Sequence, residues 1–309
     1  MRIVFMGTPQ FAVPSLLALH DAGFEPVTVV TAPDKPRGRG QQMSGTAVKD
    51  AATRLGIPVL QPDSMRDERF ADELRALAPD LFVVVAFRIL PESVFNIPTY
   101  GSFNLHASLL PKYRGAAPIN WALIRGEKES GVTTFFLKPA VDTGNIILQE
   151  RTELHDDMTA GELHDCLMTL GADVVLRTVR RIETGNLITQ LQDDAQATPA
   201  PKIFKDTCRL DWTRPARDVH NLIRGLSPYP AAWTHHRGKL IKILRSQVLE
   251  EESSGESGAL RIDANGLQVQ CGRGSLAILE LQQEGKRAMG VEEFLRGYRF
   301  TAEREVLES

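Results

Sequence analysis

The sequence predicts an α/β protein in which a parallel sheet with crossover helices precedes a smaller, strand-rich domain. Short apolar runs alternate with amphipathic helical stretches over residues 1–188, the pattern of a parallel sheet covered by helices. One of these runs, Leu81–Phe87, is continuously apolar, as a strand buried on both faces must be. Beyond a polar, proline-bearing stretch, short strand-like runs follow one another closely, which suggests a small antiparallel barrel or sandwich.

The elements follow in order. Arg2–Met6 reads as a first strand ending at Gly7-Thr8-Pro9, and Phe11, Val13, Leu16, Leu17 and Leu19 give a helix that stops near Gly23. Val27–Val30 is the next strand, Thr46–Leu55 a helix, Ile57–Leu60 a short strand and Asp67–Ala78 a helix. Thr159–Glu183 is a long amphipathic helix closed by Gly185, a common helix stop. Residues 189–207, with Thr198-Pro199-Ala200-Pro201, read as a linker. A helix near Ala216–Gly225 follows, then strands at Ala232–His235, Leu240–Leu244, Gly258–Asp263, Gly266–Cys271 and Ser275–Leu281, with Glu250–Ser257 as a loop. Ligands of parallel sheets sit beyond the carboxyl ends of the strands, so Gly7-Thr8-Pro9, the Asp34–Gly40 loop and Ala86–Pro91 should line that edge. Gly7 opens no G-x-G-x-x-G fingerprint. It is read as a tight strand-to-helix turn, and no NAD is expected.

The composition is that of an ordinary globular protein: 309 residues, 42% hydrophobic and 24% charged, with a net charge of −3. Cys166, Cys208 and Cys271 are few and far apart, giving neither metal spacing nor a disulfide framework. No run approaches the ~20 apolar residues of a membrane span, and Met1–Met6 runs into Gly7 without the features of a signal peptide. A cytoplasmic protein is expected, with nothing that demands more than a monomer. The charge is uneven: Lys202 to Arg245 holds 10 basic and 3 acidic residues. Taken alone this is a solvated, slightly basic face.

The chemistry concentrates in Asn104-Leu105-His106-Ala107-Ser108-Leu109-Leu110-Pro111 and in Val141-Asp142-Thr143-Gly144. On a strand, Asn104, His106 and Ser108 share one side. An amide donor, a histidine, which titrates near neutral pH, and a carboxylate to orient it suit acyl-type transfer to an amine.

These segments resemble the methionyl-tRNA formyltransferases. The resemblance rests on Met6-Gly7-Thr8-Pro9-x-Phe11-Ala12, Gly38-Arg39-Gly40, Asn104-x-His106-x-Ser108-Leu109-Leu110-Pro111-x-x-Arg114-Gly115-Ala116-Ala117-Pro118-Ile119 and Val141-Asp142-Thr143-Gly144. It extends to Leu210-Asp211-Trp212 and Pro228-Tyr229-Pro230. It implies a Rossmann-like formyltransferase domain at 1–188, a linker at 189–207 and an OB-like, tRNA-binding barrel at 208–309. The implied reaction transfers the formyl group of 10-formyltetrahydrofolate to the amino group of initiator methionyl-tRNA, without a metal. Asn104 and His106 match the family's catalytic pair and Asp142 its catalytic acid. Asn104 and protonated His106 are expected to stabilise the tetrahedral oxyanion. Asp142 is expected to favour the imidazolium and to relay protons from the attacking amine. Ser108, Leu109, Leu110 and Pro111 match the folate-contacting segment. The Asp34–Gln42 loop resembles an insertion directed at the tRNA acceptor stem. Arg37 and Arg39 are therefore candidate RNA contacts, together with Lys202 and Lys205. One departure is Ala86-Phe87-Arg88-Ile89-Leu90-Pro91, where the family has Ala-Tyr-Gly-x-Ile-Leu-Pro. Arg88 is given no role. Two alternatives are a folate-dependent formyltransferase of an amino sugar nucleotide and a non-catalytic RNA-binding protein.

Overall fold

The computed structural model describes residues 1–37, 42–250, 252–263, 266–298 and 306–308. The chain forms two compact units. The first comprises Met1–Gly115, Ser130–Thr152 and His164–Pro199; the second comprises Ala116–Glu129, Glu153–Leu163 and Ala200–Ser309. The stretch read as a linker is thus shared between them at Pro199 and Ala200.

The first unit is built on a seven-stranded sheet. Its strands are β1 (Ile3–Gly7), β2 (Thr28–Val30), β3 (Val59–Leu60), β4 (Leu81–Val85), β5 (Ser102–His106), β6 (Glu129–Phe136) and β7 (Ile146–Glu153). They lie in the order β7-β6-β5-β4-β1-β2-β3. β5, β4, β1, β2 and β3 run parallel, while β6 is antiparallel to β5. Every residue of β1 and β4 is buried, which is why both read as continuous apolar runs. Met6, Val30, Phe70, Leu74, Phe82 and Val84 form part of the core on this sheet. Thr46 and Asp67 cap the helices Ala47–Arg54 and Glu68–Ala76, accepting hydrogen bonds from the Lys49 and Arg69 amides. At Gly7 a Cβ would lie 2.7 Å from the Ala12 Cβ; the glycine serves the close strand-to-helix turn.

The strands β6 and β7 are additions to the sequence reading. Their patterns are interrupted by Thr133, Thr134 and Gln149. Thr133 and Thr134 are fully buried, and their hydroxyls bond the Ser108 carbonyl and the Thr178 hydroxyl.

The second unit carries an antiparallel sheet of β8 (Ala232–His236), β9 (Lys239–Glu250), β10 (Leu260–Asp263), β11 (Gly266–Gln270) and β12 (Ser275–Gln283). Their order is β8-β9-β12-β11-β10, with Met289–Gly290 paired to β12. Val306 bridges Ala259 beside β10, and Glu308 bridges His235 of β8. This segment therefore joins the two edges of the sheet into a barrel, as predicted. Trp212, fully buried, fills the core and donates its indole N–H to the Thr234 hydroxyl. Helix Ala216–Leu226 packs on the barrel and receives helix Pro118–Ile124, whose Asn120 amide donates to the Gly225 carbonyl at 2.7 Å.

His220 on that helix is buried, with Nδ1 3.0 Å from the Ser246 hydroxyl and Nε2 2.9 Å from the Asp156 carbonyl. Burial lowers its pKa, and the Arg224 and Arg217 charges push the same way. The folded protein thus holds this ring neutral where an unfolded chain would protonate it, so His220 costs stability as pH falls through the ordinary histidine value of about 6.5. The melting temperature should fall over that interval, and His220→Gln should flatten the decline. An unchanged slope in the variant would assign the acid sensitivity to other groups.

Candidate active site

The strand β5 delivers Asn104 and His106 to the carboxyl end of the sheet. It lies between β4 and β6, with Asn104 opposite Phe135 and His106 opposite Thr133. Being two residues apart on a strand, Asn104 and His106 face the same side, roughly 6.7 Å apart along it. The Asn104 amide is half-buried and makes no hydrogen bond among the described residues.

His106 is 6% exposed and meets the edge of Phe135, ring centres 6.5 Å apart. Its Nε2 is 2.8 Å from the Tyr113 carbonyl. A carbonyl only accepts, so this contact assigns a proton to Nε2. Tyr113 adopts φ 62° to present that carbonyl, a left-handed conformation that costs a non-glycine residue about 1–2 kcal/mol. Its own amide is tied to the Thr198 hydroxyl at 2.9 Å. The other ring nitrogen, Nδ1, faces Asp142 Oδ2 at 3.8 Å. Nδ1 is therefore the ring nitrogen left for other partners, on the side where the carboxylate stands.

Asp142 sits at φ 56° in a tight turn. Its Oδ2 accepts the Gly115 amide at 2.8 Å, and its side chain is 12% exposed. Two residues on, Gly144 passes so close to β6 that a Cβ would fall 1.5 Å from the Phe136 carbonyl oxygen. Gln192 bonds the carbonyls of Asp142 and Gly144. Sequence reasoning missed Tyr113 and Gln192. The first acts through its backbone, and the second lies 50 residues from Asp142.

The segment following His106 is a braced turn. The Ser108 hydroxyl donates to the Lys112 carbonyl at 2.7 Å, and Ser108 is buried. Leu110 is also buried, packed with Phe135 and Ile146. Gln149 and Thr133 hold the Leu110 carbonyl and amide. Leu109 and Pro111 are half-buried. Ser108 and Leu110 thus brace the turn with their side chains, and Leu109 and Pro111 are its more accessible residues.

Arg88 spans two loops at the carboxyl edge. Its guanidinium donates to the Pro62 and Asp63 carbonyls at 2.7 and 3.0 Å and lies 5.6 Å from the Phe87 ring centre. This fastening ties the Ala86–Pro91 loop to the Pro62–Asp63 stretch.

The candidate RNA contacts lie elsewhere. Arg37 ends the strand Lys35–Arg37, which pairs with Gln42–Ser44; Arg39 lies outside the described residues. In the second unit Lys202 and Lys205 are exposed, each with its ammonium 5.8 Å from an aromatic ring centre, of Phe204 and Trp233. Arg209 lies 5.9 Å from the same Trp233 ring. Other cations of the basic stretch have internal duties. Arg224 is buried on the His155 carbonyl and the Asn221 side chain. Arg214 pairs with Asp218, and Arg245 with Glu162.

Among the described residues no group of three or more His, Cys, Asp or Glu is placed to hold a metal ion. No helix among them is long and apolar enough to cross a membrane.

The formyl transferase family profile matches residues 1–179, and the formyl transferase C-terminal domain profile matches 202–299. A methionyl-tRNA formyltransferase of Chlorobium luteolum is 51% identical over 305 residues, covering 97% of each chain. This chain belongs to the methionyl-tRNA formyltransferase family. A second member, from Caldanaerobacter subterraneus subsp. tengcongensis, is 47% identical over 300 residues, covering 96% of this chain and 97% of its own. Among solved structures, an N-formyltransferase from Helicobacter canadensis, in complex with folinic acid and dTDP-3-aminofucose, superposes with a TM-score of 0.70 at 21% identity. The match covers 92% of this chain and 99% of that one. HypX from Aquifex aeolicus, in complex with tetrahydrofolic acid, gives 0.65 at 17% identity over 99% of this chain and 50% of that one. These distant likenesses share the two-part fold of this family member.

Proposed function

We propose that this family member transfers the formyl group of 10-formyltetrahydrofolate to the amino group of initiator methionyl-tRNA. The observation that carries the chemistry is His106, with Nε2 committed to the Tyr113 carbonyl and Nδ1 turned to Asp142, beside an Asn104 amide with no protein partner among the described residues. The methionine amine attacks the formyl carbon, and the carbonyl electron pair moves onto oxygen. Asn104 and His106 protonated at Nδ1 stabilise that oxyanion. Asp142 takes the proton that the amine sheds. Collapse breaks the carbon–N10 bond, and the proton passes to the departing N10.

The acceptor reading rests on full-length likeness to methionyl-tRNA formyltransferases and on exposed cations beside aromatic rings in the second unit. Arg37, Arg39, Lys202 and Lys205 contact the RNA backbone, and the barrel at 208–309 is the tRNA-binding part. Leu109 and Pro111, with the backbone of the Ser108–Pro111 turn, border the folate. The enzyme works as a cytoplasmic monomer. Purified protein given 10-formyltetrahydrofolate should formylate charged initiator tRNA and leave a dTDP-amino sugar unmodified. The reverse preference would overturn the acceptor assignment.

A further inference from the structure

A glutamine in a stretch with no marked pattern holds the turn that carries Asp142. The Gln192 Nε2 donates to two carbonyls, Asp142 O and Gly144 O, each at 2.8 Å. Its Oε1 accepts from Arg114 Nε at 3.1 Å and from Arg114 Nη2 at 2.7 Å. The amide is thereby saturated, with both N–H groups and both lone pairs engaged. Its orientation is unambiguous, because a guanidinium only donates and a carbonyl only accepts. Arg114 is in turn anchored by Asp194 at 2.7 Å and is followed by Gly115, whose amide holds the Asp142 carboxylate.

The same turn is under two constraints that need a clamp. Asp142 has φ 56°, and Gly144 is pressed against Phe136. Only a neutral primary amide of this length can bridge two carbonyls to a guanidinium. A glutamate would turn an oxygen toward the two carbonyls and add a negative charge beside Asp142.

We propose that Gln192 is a positioning residue for catalysis, acting through Asp142: with Arg114 it sets the backbone of the Asp142 turn and hence the distance from the carboxylate to His106 Nδ1. This rests on the role proposed for Asp142. A displacement of about 1 Å at such a site costs up to roughly 100-fold in rate. Gln192→Ala and the near-isosteric Gln192→Glu should each lower kcat roughly 10- to 100-fold while KM for the tRNA stays unchanged.

The deciding experiment is a double-mutant cycle in the formylation assay. In an Asp142→Asn background, Gln192→Ala should cost almost nothing further, because the group it positions is already disabled. Equal losses from Gln192→Ala in both backgrounds would overturn the positioning role and leave Asp142 in the mechanism. An Asp142→Asn rate equal to that of the unmodified enzyme would overturn the role of Asp142 and that of Gln192 with it. If Gln192→Ala fails to fold, Gln192→Glu completes the same cycle. Full activity in either soluble Gln192 variant would also refute the proposal.

Discussion

Replacing His106 with alanine should lower kcat of formyl transfer by roughly 100- to 1000-fold, the usual loss when one oxyanion donor is removed. The protein should remain folded. His106 is buried, but among the described residues its ring bonds only the Tyr113 carbonyl and packs against Phe135 and Asp142. Loss of the ring leaves a small space and one carbonyl without its donor, a cost of about 1–3 kcal/mol. Asn104→Ala should produce a loss of similar size, and the double variant should lose less than the product of the two if both act on one oxygen. The measurement is single-turnover formylation with saturating folate, alongside thermal unfolding. A His106→Ala rate within a few-fold of the unmodified enzyme would remove the ring from the mechanism.

The second large effect is expected at Gly144. An alanine Cβ would fall 1.5 Å from the Phe136 carbonyl oxygen, so the turn or β6 must move. Phe136 is held by β-pairing to Phe103 and by a backbone bond from its amide to the Asn145 carbonyl. The turn is the part that can yield, and Asp142 moves with it. Overpacking of this kind costs typically 1–3 kcal/mol, and the displaced carboxylate adds a loss of up to about 100-fold in rate. Gly144→Ala should therefore be damaged more in kcat than in melting temperature. Normal turnover in a soluble Gly144→Ala protein would contradict this.

Much of the fold is legible because burial writes itself into pattern. Ile3–Gly7 and Leu81–Val85 are apolar throughout since both faces are covered, and a barrel strand such as Gly266–Gln270 alternates, with Leu267 and Val269 buried. The strands Glu129–Phe136 and Ile146–Glu153 are hidden, because buried threonine hydroxyls and Gln149 take partners that lie far away in the chain. At the site, residue types announce Asn104, His106 and Asp142. The Tyr113 carbonyl and the Gly115 amide leave no mark in a sequence, since every residue carries such groups. A charge count does not separate surface from interior in the basic stretch after Lys202: Arg224 is buried, and Arg214 and Arg245 are paired within the same unit.

The interleaving of the two units has a consequence for biosynthesis. Helix Pro118–Ile124 belongs to the second unit, and it docks on Ala216–Leu226 through Asn120. A ribosome adding about 5–20 residues per second needs roughly 5–20 seconds to cover the intervening chain. During that delay the apolar side of the helix has no partner, although most of the first unit's sheet has been made. The nascent chain thus holds an early segment in waiting for a late one, a window in which a holdase chaperone would protect it. Slowing translation between Ile124 and Ala216 should lengthen that window and lower the soluble yield.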